Sequence, residues 1–163
     1  MRILAFDISA SPGVSVLEVK RAKPRLIFAD SIKTDTSSPD SQRYAYVEAF
    51  AIKAIHEHAP FDAVVREHFT KGGSKRSTQL VFGSWASIDT ALGRYGYKVA
   101  AEITPTSVKK IVGGKGDASK TEVETGVRRM LGLTEDYVFK SDDASDACAI
   151  GLAYLINEGL IAK

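Results

Sequence analysis

Four carboxylate side chains occupy places in the sequence from which they could converge on one site. Asp7 ends the first apolar run of the chain, and Glu67 ends a later one. Asp143 and Asp146 are three residues apart in a segment of helical periodicity, so they share one face of that helix. Clustered carboxylates repel one another unless cations neutralise them, and oxygen ligands suit Mg²⁺ or Mn²⁺. Two such ions about 4 Å apart form a clamp for phosphodiester cleavage.

Each acid alone also has a structural explanation. Asp7 could cap the turn after its strand, and Glu67 could be an exposed charge at a strand end. Asp143 and Asp146 suit the first turn of any helix, because the helix dipole favours negative charge there. The combination of all four beside a basic segment favours the metal site. Cys148, in the apolar part of the same helix, is predicted to be a buried structural thiol rather than a nucleophile.

The segment spanning residues 68–120 is strongly basic. It holds nine Lys or Arg residues and three acids, whereas the whole chain has a net charge of only +2. A basic middle between acidic flanks favours a polyanion such as nucleic acid, and the alternative is a chance fluctuation on a solvated surface. The side chains predicted to contact DNA are Lys71, Lys75, Arg76, Lys109, Lys110, Lys115, Lys120 and His68.

Size and composition predict a single globular domain over residues 1–163. The chain is 44% hydrophobic and 26% charged, which excludes wholesale disorder and a coiled-coil rod. No apolar run approaches the roughly 20 residues that span a bilayer, and the N-terminus lacks the features of a signal peptide. The single cysteine excludes a disulfide framework and fits a reducing compartment. We therefore expect a cytoplasmic protein without a membrane partner.

The elements that must position the acids follow the order β-β-β-α-β-α-β-α-α-α. Strands over Arg2–Ile8, Gly13–Lys20 and Arg25–Ile32 predict an antiparallel meander. Strands over Phe61–Arg66 and Tyr97–Ile103 follow helical crossovers and should lie parallel to the first strand. This order predicts an α/β fold, a mixed five-stranded sheet flanked by helices, in which the first and fourth strands end at the same edge.

Five helices are predicted from apolar spacing and capping residues. The last of them carries three acids, and spacing alone allows Asp142 as well as Asp143 to pair with Asp146. The apolar side of that helix favours Asp143, and leaves Asp142 as a first-turn charge. The predicted ranges are Asp40 or Ser41 to about Ile55, Leu80–Leu92, a short helix after Thr104, Asp117 to Met130 and Ser141 to about Asn157, with a basic loop over Lys71–Ser77.

Four segments resemble the RuvC-type Holliday junction resolvases of the ribonuclease H-like superfamily. They read ILAFDIS, VVREHF, SVKKIVGGKGDASKTEV and SDDASDACAIGLAYL, and they extend from Ile3 to about Tyr154. The resemblance implies a ribonuclease H-like fold and a structure-selective endonuclease that resolves four-way DNA junctions. It further implies two Mg²⁺ ions per active site, with Mn²⁺ as a substitute, and products with 5′-phosphate and 3′-hydroxyl ends. Two symmetric nicks require two identical sites, which a homodimer supplies.

The resemblance also assigns roles to residues that match the family's motifs. The catalytic acids map onto Asp7, Glu67, Asp143 and Asp146, and two important basic residues map onto Lys109 and Lys120. Phe69 matches an aromatic residue that meets the junction centre in the family.

Two departures from the family pattern predict a phage-type or otherwise divergent member. Ile8-Ser9 follows the first Asp where the family usually has Pro-Gly, and the loop over residues 72–76 differs from the common bacterial version. The sequence preference of the bacterial enzymes is therefore not carried over. The expected location is the cytoplasm of a bacterial or phage-infected cell, and a branch-migration helicase is compatible with this function although no motif identifies one.

Three other functions share parts of this pattern. Another ribonuclease H-like nuclease would cut RNA–DNA hybrids or flap and branched DNA. A non-catalytic junction-binding protein would use the basic segment but gains nothing from carboxylates that face DNA. A small-molecule phosphotransferase would share the first aspartate but needs a second lobe that 163 residues do not provide.

The predicted helix over Leu80–Leu92 is expected to form the dimer interface. Its Trp85, Ile88 and several small residues exceed what one core-facing side needs. Packing within the core is the alternative explanation.

Overall fold

The computed structural model describes residues 1–69 and 73–163, and these contain a five-stranded sheet with the order β3-β2-β1-β4-β5. Strands β1, β2 and β3 pair antiparallel, whereas β4 runs parallel to β1 and β5 runs parallel to β4. The predicted mixed sheet is confirmed. The strands are β1 (Arg2–Asp7), β2 (Gly13–Lys20), β3 (Lys23–Ser31), β4 (Ala63–Glu67) and β5 (Val99–Ile103).

Five helices in the described part of the chain cover the two faces of the sheet. One hydrophobic cluster lies between the sheet and α1 with α2, and the other lies between the sheet and α3, α4 and α5. None of these helices is long and apolar enough to cross a bilayer. Their ranges are α1 (Asp40–His58), α2 (Lys75–Arg94), α3 (Pro105–Val112), α4 (Lys120–Leu131) and α5 (Asp142–Asn157).

Strand alternation decides which residues face which helices. In β1, Ile3 and Ala5 belong to the cluster under α5, whereas Leu4 and Phe6 belong to the cluster under α1 and α2. Because side chains alternate between faces, Asp7 points to the α5 side. The same alternation in β4 sends Glu67 to the α5 side and Arg66 to the α2 side.

Helix α5 lies directly on the first two strands. A Cβ atom on Gly13 would lie 2.0 Å from the carbonyl oxygen of Asp143, so only glycine permits this approach. Ser15 donates a hydrogen bond to the carbonyl oxygen of Ala147 over 2.9 Å. Since Gly13 is the register partner of Asp7, the start of α5 is held next to the end of β1. The buried Cys148 lies in this interface, and burial raises the pKa of its thiol to about 12, as expected for a structural thiol.

Two helices begin where sequence spacing did not place them. Asp117 was the predicted cap of α4, but the cap is Ser119, whose hydroxyl accepts from the Glu122 N–H over 3.2 Å while the Glu122 carboxylate accepts from the Ser119 N–H over 2.7 Å. This reciprocal pair satisfies two free helix N–H groups, which a single aspartate cannot do. The predicted basic loop over Lys71–Ser77 is also partly helical, because Ser74 caps α2 and Lys75 begins its first turn.

Candidate active site

The four predicted acids line one cleft of about 270 Å³ at the edge of the sheet. Asp7 and Glu67 enter from the ends of β1 and β4, and Asp143 and Asp146 enter from the first turns of α5. The strands bring their acids together because parallel neighbours end at one edge. The helix adds its pair because α5 packs across β1 and β2. The described remainder of the lining is Pro105, Val108, Lys109, Lys120, Val123 and Ile150.

The cleft is electrostatically unfavourable for its own carboxylates. Burial, followed by the nearby Glu67, Asp146 and Asp143 carboxylates, raises the pKa of Asp7 well above its ordinary value. Burial and then the Asp146 charge raise the pKa of Glu67 to about 7, and the nearby Lys109 opposes this shift. Burial also raises the pKa of Asp146, with Lys120 opposing. Cations entering this cleft would relieve the repulsion and displace protons.

The donor set fits a hard divalent cation. All four acidic donors are oxygen atoms, and no cysteine or histidine is among the described lining residues. Among residues 1–69 and 73–163, no three acidic, histidine or cysteine side chains are already gathered closely enough to hold an ion. The fit therefore lies in the chemistry of the donors and their raised pKa values rather than in a preformed coordination shell.

Two lysines bring positive charge to this cleft from different helices. Lys109 lies on α3 on the Glu67 side, and Lys120 is the first residue of α4. The Lys120 Nζ lies 3.7 Å from the Asp146 Oδ2 and 3.4 Å from the Asp142 Oδ2. Asp142 itself has a 68% exposed side chain and does not line the acidic cleft. The capping box of Ser119 and Glu122 fixes the start of α4, and therefore the position of Lys120 beside the cleft.

Three further residues predicted to contact DNA lie near the end of β4 or outside the described chain. The His68 Nδ1 lies 2.8 Å from the Glu102 Oε2. Phe69 meets Phe82 of α2 edge to face, with ring centroids 5.6 Å apart. Lys71 lies outside the described residues.

The other predicted DNA contacts do not line the acidic cleft. Arg76 pairs with Asp40 at the start of α1, which joins the first turns of α1 and α2. Lys115 pairs with Glu122 over 2.9 Å, beside a separate cavity of about 330 Å³ between α3 and α4. That cavity is larger, but its described lining holds a single acid and no comparable donor set. Lys75 and Lys110 are exposed side chains in the first turn of α2 and the last turn of α3.

A charged network beside Glu67 was not predicted from the sequence. Arg66 is buried, and its guanidinium contacts Glu102 of β5 and Asp89 of α2. The guanidinium carbon also lies 3.8 Å from the centroid of a Trp85 ring. The available signal was an arginine inside an apolar strand, since a buried arginine requires partners.

The sheet order and the acidic cleft at the ends of β1 and β4 define a ribonuclease H-like protein. The fold matches that of the yeast mitochondrial Holliday junction resolvase, with a TM-score of 0.64 at 11% identity over 97% of this chain and 79% of that one. A family model described as crossover junction endodeoxyribonuclease RuvC matches residues 4–154. The chain belongs to this family, and the predicted resemblance is confirmed.

Individual relatives agree with this assignment. A crossover junction endodeoxyribonuclease RuvC from Synechococcus is 32% identical over 156 residues, which cover 93% of this chain and 96% of the relative. The structure of Thermus thermophilus RuvC in complex with a Holliday junction substrate matches with a TM-score of 0.85 and 28% identity, over 97% of this chain and 94% of that one.

Proposed function

We propose that this protein is a structure-selective endonuclease that resolves four-way DNA junctions by paired symmetric nicks. The observation that carries the proposal is the cleft in which four carboxylates and two lysines meet at one sheet edge, in a chain of the RuvC family. One domain, residues 1–163, carries the whole site. The Thermus relative in its junction complex supports a branched DNA substrate.

Each residue of the cleft has a role in this proposal. Asp7, Glu67, Asp143 and Asp146 hold two Mg²⁺ ions, for which Mn²⁺ substitutes. The bound ions would supply activation of a water molecule and charge stabilisation at the leaving 3′ oxygen, chemistry that would give 5′-phosphate ends. Lys109 and Lys120 bind the scissile phosphate, and Lys120 also holds Asp146 through their 3.7 Å ion pair.

A synthetic four-way junction tests the function directly. It is incubated with and without Mg²⁺ beside a linear duplex and an RNA–DNA hybrid. Symmetric nicks in the junction alone, and only with the metal, are the expected result. Faster cleavage of the hybrid would favour another ribonuclease H-like nuclease, and tight binding without cleavage under any metal would favour a junction-binding protein.

We expect Lys109→Ala and Lys120→Ala to weaken cleavage strongly, because each removes a positive charge from the phosphate site. Removing one lysine–phosphate interaction lowers the slope of log affinity against log salt by about 1. Cleavage rates and junction affinity between low and physiological salt provide the measurement. Lys53→Ala is the matched control, since Lys53 is an exposed α1 lysine paired with Glu57. Parent-like rates in both cleft variants would show that these lysines are ordinary solvated charges.

The proposed enzyme acts as a homodimer through α2. The residues of α2 that are exposed for this contact differ from those expected from the sequence. Ile88 is fully buried in the protein's own core. The Tyr44 ring packs against Gly83, and its nearest atoms lie 2.1 Å from where a Cβ of residue 83 would be. The expectation that Ile88 serves the dimer is therefore wrong, and the small residue Gly83 is used within the subunit. The exposed side of α2 instead presents Phe82, which is 49% exposed, with Ala86 four residues further on.

Ala86→Arg should therefore convert a dimer into a monomer. An arginine at this exposed position of the proposed interface brings like charges of the two subunits close together, which weakens association by more than about tenfold. Sedimentation velocity at micromolar concentration measures the change, and Gln42→Arg on the exposed side of α1 is the control for added charge. A parent protein that sediments as a monomer would contradict the dimer.

The same proposal places the enzyme in the cytoplasm of a bacterial or phage-infected cell, where a branch-migration helicase is a compatible partner. The one cysteine of the chain is free and buried, which fits a reducing compartment.

A further inference from the structure

A single carboxylate on β5 holds both chain neighbours of Glu67. Glu102 lies beside Arg66 in the pairing of β4 with β5. Its Oε1 accepts from the Arg66 Nε over 2.9 Å and from the Arg66 Nη2 over 2.7 Å. Its Oε2 lies 2.8 Å from the Nδ1 of His68. The residues immediately before and after Glu67 are thus tied to one side chain.

The contacts lie on the side of the sheet opposite to the acidic cleft. Arg66 points toward α2 because strand alternation separates it from Glu67. The third contact of its guanidinium is the Asp89 carboxylate of α2, over 2.6 Å, and its plane covers Trp85. The His68 N–H donates to the Ile103 carbonyl oxygen over 2.9 Å, so strand pairing continues past Glu67. The backbone that carries Glu67 is therefore held from both directions.

Glu102 stays ionised in this arrangement. Burial favours its neutral form, but the hydrogen bonds with His68 and Arg66 outweigh burial, and the pKa of Glu102 falls below its ordinary value. The charge of Arg66, whose side chain is 9% exposed, is compensated by two carboxylates, those of Glu102 and Asp89. Breaking the Glu102 contacts would leave Arg66 with Asp89 as its carboxylate partner in the described part of the chain, and would free the residues on both sides of Glu67.

We propose that Glu102 is a positioning residue which, through Arg66 and His68, holds Glu67 in its orientation toward the acidic cleft. This inference rests on the proposed metal-dependent function. The effect depends on the length of the Glu102 side chain, which lets it hydrogen-bond to both Arg66 and His68. It does not depend on the negative charge of Glu102. Outer partners of metal-ligating side chains act in the same way in other metal sites.

Three substitutions of Glu102 separate reach from charge. Glu102→Gln keeps an oxygen for Arg66 and offers an amide N–H to the Nδ1 of His68, so kcat at pH 8 should stay close to that of the parent. Glu102→Asp keeps the charge but is one methylene shorter, and Glu102→Ala removes both contacts. These two variants should lose about tenfold or more in kcat. Junction affinity measured in EDTA should change little in all three, because Glu102 lies behind the cleft.

Mn²⁺ binding without DNA provides a readout independent of cleavage. Electron paramagnetic resonance of free Mn²⁺ measures the binding component that Glu67→Gln removes. That component should weaken by about tenfold or more in Glu102→Asp and Glu102→Ala, and should persist in Glu102→Gln. The matched control is Glu48→Ala. Glu48 lies on α1, and its carboxylate accepts a hydrogen bond from the Nε of Arg94, the last residue of α2, over 2.8 Å. It should leave kcat and Mn²⁺ binding at parent levels.

Each outcome decides the proposal. If Glu102→Asp behaves as the parent and Glu102→Gln behaves as Glu102→Ala, charge rather than reach matters and the proposal is wrong. Parent-like Mn²⁺ binding in Glu102→Asp also overturns it, as does a parent protein that binds no Mn²⁺. If Glu102→Ala does not fold, the Asp and Gln variants still decide. A parent that binds Mn²⁺ but cuts no junction refutes the proposed nuclease function alone.

Discussion

Asp7→Asn and Glu67→Gln are each expected to abolish junction cleavage while junction binding stays at parent strength or becomes tighter. Each change removes a carboxylate charge of the proposed metal site but almost no volume, and it also lowers the repulsion between the cleft and DNA phosphates. The expected loss in cleavage rate exceeds the roughly 10–100-fold loss that follows removal of an outer partner of a metal ligand. Single-turnover cleavage with Mg²⁺ and gel-shift binding in EDTA give the two measurements.

A fold check accompanies these two variants. The pKa of Glu67 in the folded protein is about 7, whereas its ordinary value is 4.5. Between pH 4.5 and about 7 the folded protein therefore binds more protons than the unfolded chain. Stability without metal therefore falls as pH rises through this window, by linkage. At pH 8 without metal, Glu67→Gln should melt at or above the parent temperature, because it removes the unfavourable charge.

Asp117→Asn, in an exposed turn, is the activity control. Cleavage within tenfold of the parent rate, roughly one step of 1.4 kcal/mol, in either cleft variant would contradict the metal-site assignment.

The three acids at the start of α5 should separate into two essential and one dispensable. Asp143→Asn and Asp146→Asn are expected to lose junction cleavage, whereas Asp142→Asn should keep most of it. Asp143 and Asp146 line the acidic cleft, while the mostly exposed Asp142 lies 3.4 Å from Lys120 outside it. Successive helix residues are rotated by about 100°, which is enough to turn Asp142 away from Asp7.

Initial cleavage rates on one junction substrate measure this series, and Asp142→Asn serves as its internal control. All three variants remove one negative charge from the same end of the same helix. A general electrostatic effect would therefore act on all three alike. Loss of activity in Asp142→Asn together with a parent-like Asp143→Asn would mean that the functional face of α5 is displaced by one residue.

The sequence alone determined the positions of the acids within their elements. Asp7 and Glu67 follow apolar runs, and parallel strands joined by a crossover must end at one sheet edge. The apolar side of α5 likewise separated Asp143 from Asp142. These inferences succeed because strand alternation and helical periodicity act over short stretches of chain, and because a helical crossover between neighbouring strands of one sheet makes them parallel.

Helix starts were less well determined by sequence. Asp117 and Ser119 are both acceptable caps by residue type, and the reciprocal bond with Glu122 selects Ser119. That choice decides where Lys120 begins α4 and therefore that it reaches Asp146. A two-residue shift would turn the lysine by more than half a turn, at about 100° per residue.

Only the tertiary structure decided which side chains meet across long separations. Arg66 and Glu102 are 36 residues apart, and they become partners through the register of β4 with β5. The same is true of Gly83, whose small size admits Tyr44 of α1 rather than a second subunit. Sheet register and helix docking depend on the simultaneous packing of both hydrophobic clusters. A pattern read along one segment contains no information about the segment that will pack against it, which is why the contacts of Glu102 behind Glu67 were visible only in the folded protein.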